Sequence, residues 1–70
     1  MTKESYKGPL LEALIKKLEG DIAVAKANIE VYKIHPAGIG EHSDIVETIE
    51  KEVVKIADAH DKIEAIRTYF

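Results

Sequence analysis

His35-Pro36-Ala37-Gly38-Ile39-Gly40-Glu41-His42-Ser43 is the stretch that decides the fold. Here a proline and two glycines fall within a few residues, and a long helical pattern stands on each side. A residue before proline is pushed out of the α region, so the first helix should stop near Ile34 or His35. Gly38 and Gly40 can take positive φ and let the chain reverse. Ile39, between them, is expected to tuck onto the helix ends. The reading is an all-α antiparallel helical hairpin in one domain spanning 1–70, with a helix over about 9–34, a loop over about 35–42 and a helix over about 43–70.

On the N-terminal side, Leu11, Ile15, Leu18, Ile22, Ala25, Ile29 and Tyr32 are spaced 4, 3, 4, 3, 4, 3. That alternation returns apolar side chains to one line every 3.5 residues, the signature of a coiled-coil seam. A strand would need alternation by two. Ala25 is the small residue in the line and would admit close approach of a partner. A second apolar line, Leu10, Leu14, Val24, Ala27, Val31 and Ile34, runs beside the first and is interrupted by Lys17 and Asp21. A helix with two apolar lines should have two neighbours. Pro9 marks the helix start, because the N–H it lacks would be unpaired there.

On the C-terminal side, Ser43 is the expected N-cap, with Asp44 and Glu47 complementing the helix dipole in the first turn. Counted from Ser43, Glu47 falls one position late for a reciprocal capping box. The second seam reads Ile45, Ile49, Val53, Ile56, His60, Ile63, then Ile66 or Arg67, and Phe70. Val46, Val54, Ala57 and Ala59 widen the face. Glu47 with Lys51 and Asp58 with Lys62 are expected to pair across turns. Asn28 and Glu52 flank the seams, where a polar group can fix register. Helices of 25 and 27 residues make rods of about 38 and 40 Å, and a short connection between matched rods folds them antiparallel.

Seventy residues without a cysteine bound the rest of the reading. A core this small is marginal without a staple, and neither a disulfide nor a thiolate metal site is available. Oligomerisation is the remaining route. Two helices share one seam, and pairing two hairpins into a C2 four-helix bundle would close the remainder. Self-association is assigned to Leu11, Ile15, Leu18, Ile22, Ala25, Ile29 and Tyr32 with Ile49, Ile56, Ile63 and Phe70. A formal net charge of -3 argues against a general nucleic-acid binder. The charge is uneven: residues 1–40 sum to +1 and residues 41–70 to −4, so the halves attract weakly. No apolar run reaches the roughly 20 residues of a membrane span, and no signal-peptide core follows Met1. The expected setting is the cytoplasm.

Chemistry is sparse. His35, Glu41, His42 and Asp44 could approach a divalent metal, but their spacing matches no zinc pattern, and a plain turn is the preferred reading. His60 on the seam could act as a pH-sensitive contact; a seam-edge histidine with one nitrogen in water is the simpler account. Gly38-Ile39-Gly40 has no strand before it and makes no phosphate loop. Ser5 and Ser43 are the only serines and one is an expected cap, so no nucleophile–base arrangement offers itself, and no enzyme is expected and no cofactor. Tyr6, Tyr32, Tyr69 and Phe70 are too few for a base-stacking platform.

The segment from Ile29 to Ile49 resembles small proteins of T4-like marine phages, chiefly cyanophages. These carry a similar Pro-Ala/Val-Gly-Ile-Gly-Glu-His-x-Asp loop between two helical halves. Pro36 to His42 and Asp44 match it, and His35 stands where asparagine is more usual. The resemblance implies a phage origin, the host cytoplasm as the setting and a two-helix layout, with no particular activity. The resulting expectation is a non-enzymatic structural or protein-interaction module, a homodimer, whose loop residues His35, Ile39, Glu41 and His42 contact another protein. The alternative is an RNA-binding hairpin dimer with the architecture of the plasmid Rop protein, which would need Lys16, Lys26 and Lys33 aligned on one face away from acids.

Overall fold

The computed structural model describes residues 8–35 and 44–70. Two helices fill them: α1, Gly8–Ile34, and α2, Ile45–Tyr69. They pack against each other along their length, as the matched seams require. The turn expected at Gly38, Ile39 and Gly40 lies outside the described residues.

The helix ends follow from local chemistry. Gly8 opens α1 at φ +75, a conformation that glycine alone adopts without strain. Pro9 follows in the first turn, where its missing donor costs nothing. At the far end the His35 N–H donates to the Val31 carbonyl at 2.7 Å, and Lys33 sits in the last turn at the negative end of the dipole. The cap of α2 is Asp44, one residue later than the Ser43 expected from sequence. Asp44 Oδ1 accepts from the Val46 and Glu47 N–H groups at 2.9 and 3.2 Å. This shift moves Glu47 from the fourth helical position to the third, the place a capping box requires. Aspartate suits the site better than serine because its charge also meets the helix dipole.

The core lies in the half of the hairpin nearer the chain ends. Ile15 and Leu18 of α1 interlock with Ala59, Ile63 and Ile66 of α2, and Leu11 and Ile22 pack on that cluster. Each large aliphatic side chain buried there contributes about 1.5–3 kcal/mol relative to exposure. Ala25 is also buried, as a small seam residue at a close approach should be.

The second seam needs correction. Val53 and His60 were expected on it, yet both are exposed. The α2 face that meets α1 runs Ile45, Ile49, Glu52, Ile56, Ala59, Ile63, Ile66, again spaced 4, 3, 4, 3, 4, 3. Glu52 and Ala59 hold the places given to Val53 and His60. A 3.5-residue repeat tolerates a polar or a small residue where geometry demands one, whereas a reading by hydropathy slides to the nearest larger side chain. Phe70, the last seam residue expected, is exposed as the C-cap, its N–H donating to the Ile66 carbonyl.

Gly20 interrupts α1 on its outward side, and a Cβ built there would meet nothing within 4 Å. Glycine in a helix interior costs about 1 kcal/mol relative to alanine. In dilute solution, where one hairpin stands alone, Gly20→Ala should therefore raise stability by about 1 kcal/mol and the melting midpoint by several degrees, read by circular dichroism. An unchanged or lower midpoint would mean that this position is not regular exposed helix.

Candidate interaction surface

The seam carries one polar contact between the helices among the described residues. Asn28 Nδ2 donates to Glu52 Oε1 at 3.1 Å, joining α1 to α2. The other Glu52 oxygen accepts from Lys55 Nζ at 3.0 Å. Glu52 is only 6% exposed, the single buried charged side chain among the described residues. The Asn28 hydrogen bond, then the Lys55 hydrogen bond, hold its carboxyl below the usual carboxylate range, against the opposing effect of burial. The hairpin is only two helices thick, so this carboxylate lies one side-chain layer from water and stays charged at neutral pH.

Beside the pair runs an open groove of about 340 Å³, lined by Asp21, Val24 and Ala25 of α1 and by Glu52, Lys55, Asp58 and Ala59 of α2. Its carboxylates are occupied. Asp21 binds Lys17 at 2.8 Å, Glu52 binds Lys55, and Asp58 binds Lys62 at 2.8 Å, the last as its spacing predicts. Asp58, and more weakly Asp21, raise the proton affinity of Lys62. With each acid satisfied on its own helix, the groove has neither a free base nor a nucleophile. Among the described residues no three metal-ligating side chains cluster.

The residues expected to carry self-association divide by position. Ile15, Leu18, Ala25 and Ile63 are buried inside the hairpin. Leu11, Ile22, Ile29, Tyr32, Ile49 and Ile56 are half-buried along it, and Phe70 is exposed. Of the loop candidates, His35 is exposed at the end of α1, while Ile39, Glu41 and His42 lie outside the described residues. Of the three lysines a nucleic-acid face would need, Lys16 lies 3.9 Å from Glu19 and Lys33 lies 3.2 Å from Glu30, and Lys26 is exposed.

A larger feature is the apolar surface that the hairpin leaves in water. Leu10, Val24, Val31 and Ile34 are 85, 62, 52 and 67% exposed, all on α1. The second apolar line expected from sequence is thus real and uncovered. On α2, Val46, Val53 and Val54 are also exposed, but they do not continue that line. The lining of the groove places Asp21 and Val24 on the same flank as Lys55 and Asp58; by helical rotation Val46 and Val53 fall on the opposite flank. No helix among the described residues is long and apolar enough to cross a membrane.

Compared with protein-family models, curated proteins and solved structures, the chain matches none.

Removing the Asn28 side chain would leave a covered carboxylate short of a donor, a change that costs about 1–3 kcal/mol. Asn28→Ala should destabilise by that order at pH 7. A carboxyl whose proton affinity is lowered by folding stabilises the fold above its unfolded pKa, and that stability is lost as pH falls through the folded value. The penalty of Asn28→Ala should therefore shrink in acid, below the usual carboxylate range. Parallel urea titrations of the two proteins at pH 7 and pH 3 measure this, and a penalty equal at both would show that the pair does not hold the charge.

Proposed function

We propose that this protein is a non-enzymatic interaction module that works by self-association, most simply as a homodimer of hairpins bringing four helices together. One observation carries the reading: α1 presents a line of exposed aliphatic side chains, Leu10, Val24, Val31 and Ile34, on a part of its surface that α2 does not cover. Scattered exposed aliphatics are ordinary on a protein surface, but a line of them along one helix marks a contact. The hairpin core supports the same conclusion from the other side. Among the described residues six buried aliphatic side chains, two of them alanine, make a small core, and association is the common remedy.

The ion pairs of the groove favour a structural over a catalytic role, because each of its carboxylates already has a lysine partner on its own helix. The loop resemblance adds a setting, a small phage-type helical protein in the infected cell. The loop itself, with His35 at its start, is the candidate contact for a different protein.

Light scattering after size exclusion, over a range of concentrations, tests the reading. A mass of twice the 7.8 kDa chain is expected, falling toward one chain only on strong dilution. A mass of one chain throughout would overturn it.

A further inference from the structure

We infer that the partner covering α1 is a second copy of α1, docked antiparallel about a two-fold axis near Ile22. The inference rests on the self-association proposed above and assigns its surface, orientation and register.

The outward face of α1 carries a heptad pattern of its own. Leu10, Ala13, Lys17, Gly20, Val24, Ala27, Val31 and Ile34 are spaced 3, 4, 3, 4, 3, 4, 3 and all are exposed. At 100° per residue this line lies roughly 150° around the helix from the seam that meets α2. The line alternates in size. Leu10, Lys17, Val24 and Val31 form one register of longer side chains; Ala13, Gly20 and Ala27 form the other, of small ones, which ends in Ile34.

That alternation selects an orientation. In an antiparallel coiled coil each residue of one register faces the other register of its partner. Centred near Ile22, this pairing sets Val24 over Gly20 of the second copy, Val31 over Ala13, Lys17 over Ala27 and Leu10 over Ile34. Large meets small through the middle, so the helices can approach closely without a void. A Cβ at Gly20 would meet nothing of its own chain within 4 Å, leaving that space for Val24 of the copy. A parallel pairing instead stacks like on like. It would set Gly20 on Gly20, Ala13 on Ala13 and Lys17 on Lys17, leaving voids and a repulsion.

Charge at the edges agrees. The antiparallel register brings Lys16 beside Glu30 of the second copy, twice by symmetry. The one like-charged approach is Asp21 with its own copy near the axis, and each Asp21 is already paired with Lys17 at 2.8 Å. The outward line of α2 offers no equivalent. It reads Glu47, Lys51, Val54, Asp58, Asp61, Ala65, Thr68 and suits water. The assembly therefore has the two α1 helices at its centre and an α2 on each outer side.

Cysteine cross-linking reads the register directly, since the chain has no cysteine. Ala13→Cys and Val31→Cys proteins, mixed and oxidised, should form a heterodimeric disulfide in high yield. Val31→Cys alone should not cross-link, because its two copies would lie about 27 Å apart, 18 residues along the helix. Val24→Glu should lower dimer affinity at least tenfold, and Val54→Glu should leave it unchanged. Circular dichroism of both variants checks that the hairpin persists. A wild-type dimer that cross-links through Val31→Cys alone, or that is broken by Val54→Glu and not by Val24→Glu, would overturn this assignment while leaving self-association intact. A monomeric wild type would overturn both.

Discussion

Asn28 of α1 and Glu52 of α2 meet across an interface that is otherwise mainly aliphatic, and that contact fixes how far along one another the two helices sit. An aliphatic seam by itself is permissive. Sliding one helix by a heptad, about 10.5 Å, would still set apolar lines against each other. It would also move Glu52 from Asn28 to the level of Asp21 or of His35. The first puts two carboxylates together; the second carries Glu52 to the end of the helix. The hydrogen bond at 3.1 Å, with Lys55 on the other oxygen at 3.0 Å, makes one register the good one. The cost is a carboxylate taken from water, tolerable because the hairpin is thin and both oxygens have donors.

With register fixed, the two helices take different parts. Toward the chain ends, Ile15 and Leu18 interlock with Ala59, Ile63 and Ile66. Farther along, the small Ala25 lets the helices close. On the outside the helices diverge. α2 shows charge to water, with Asp58 and Lys62 paired at 2.8 Å. α1 shows Val24, Val31 and Ile34. The two outward faces thus differ: that of α2 is mainly charged, and that of α1 carries the longer line of aliphatic side chains.

Much of this was legible in the sequence. The seam of α1 could be read directly because Leu11, Ile15, Leu18 and Ile22 are large and regularly spaced, and the structure places them where the spacing requires. The second line on α1 was legible only in part: Leu10, Val24, Ala27, Val31 and Ile34 stood out, whereas the small or polar Ala13, Lys17 and Gly20 that complete its spacing did not. The seam of α2 was harder. Its correct members include Glu52 and Ala59, whose neighbours Val53 and His60 look better suited to an interior. What decides between them is the partner across the seam, since Glu52 is acceptable only opposite Asn28, and a single helix read alone does not contain that information. The Asp44 cap was missed because Ser43, one residue earlier, is an equally good oxygen acceptor by type. The choice between them depends on where the chain enters the helix.

If a second chain covers the aliphatic face of α1, as proposed above, folding and association are one linked equilibrium. Thermal unfolding followed by circular dichroism across a hundredfold range of chain concentration tests that link most directly. For a dimer, this range is worth about 2.7 kcal/mol in apparent stability. The melting midpoint should rise by several degrees or more from the dilute to the concentrated end. A midpoint independent of concentration would contradict it, and would mean that the hairpin is stable alone with its aliphatic stripe in water.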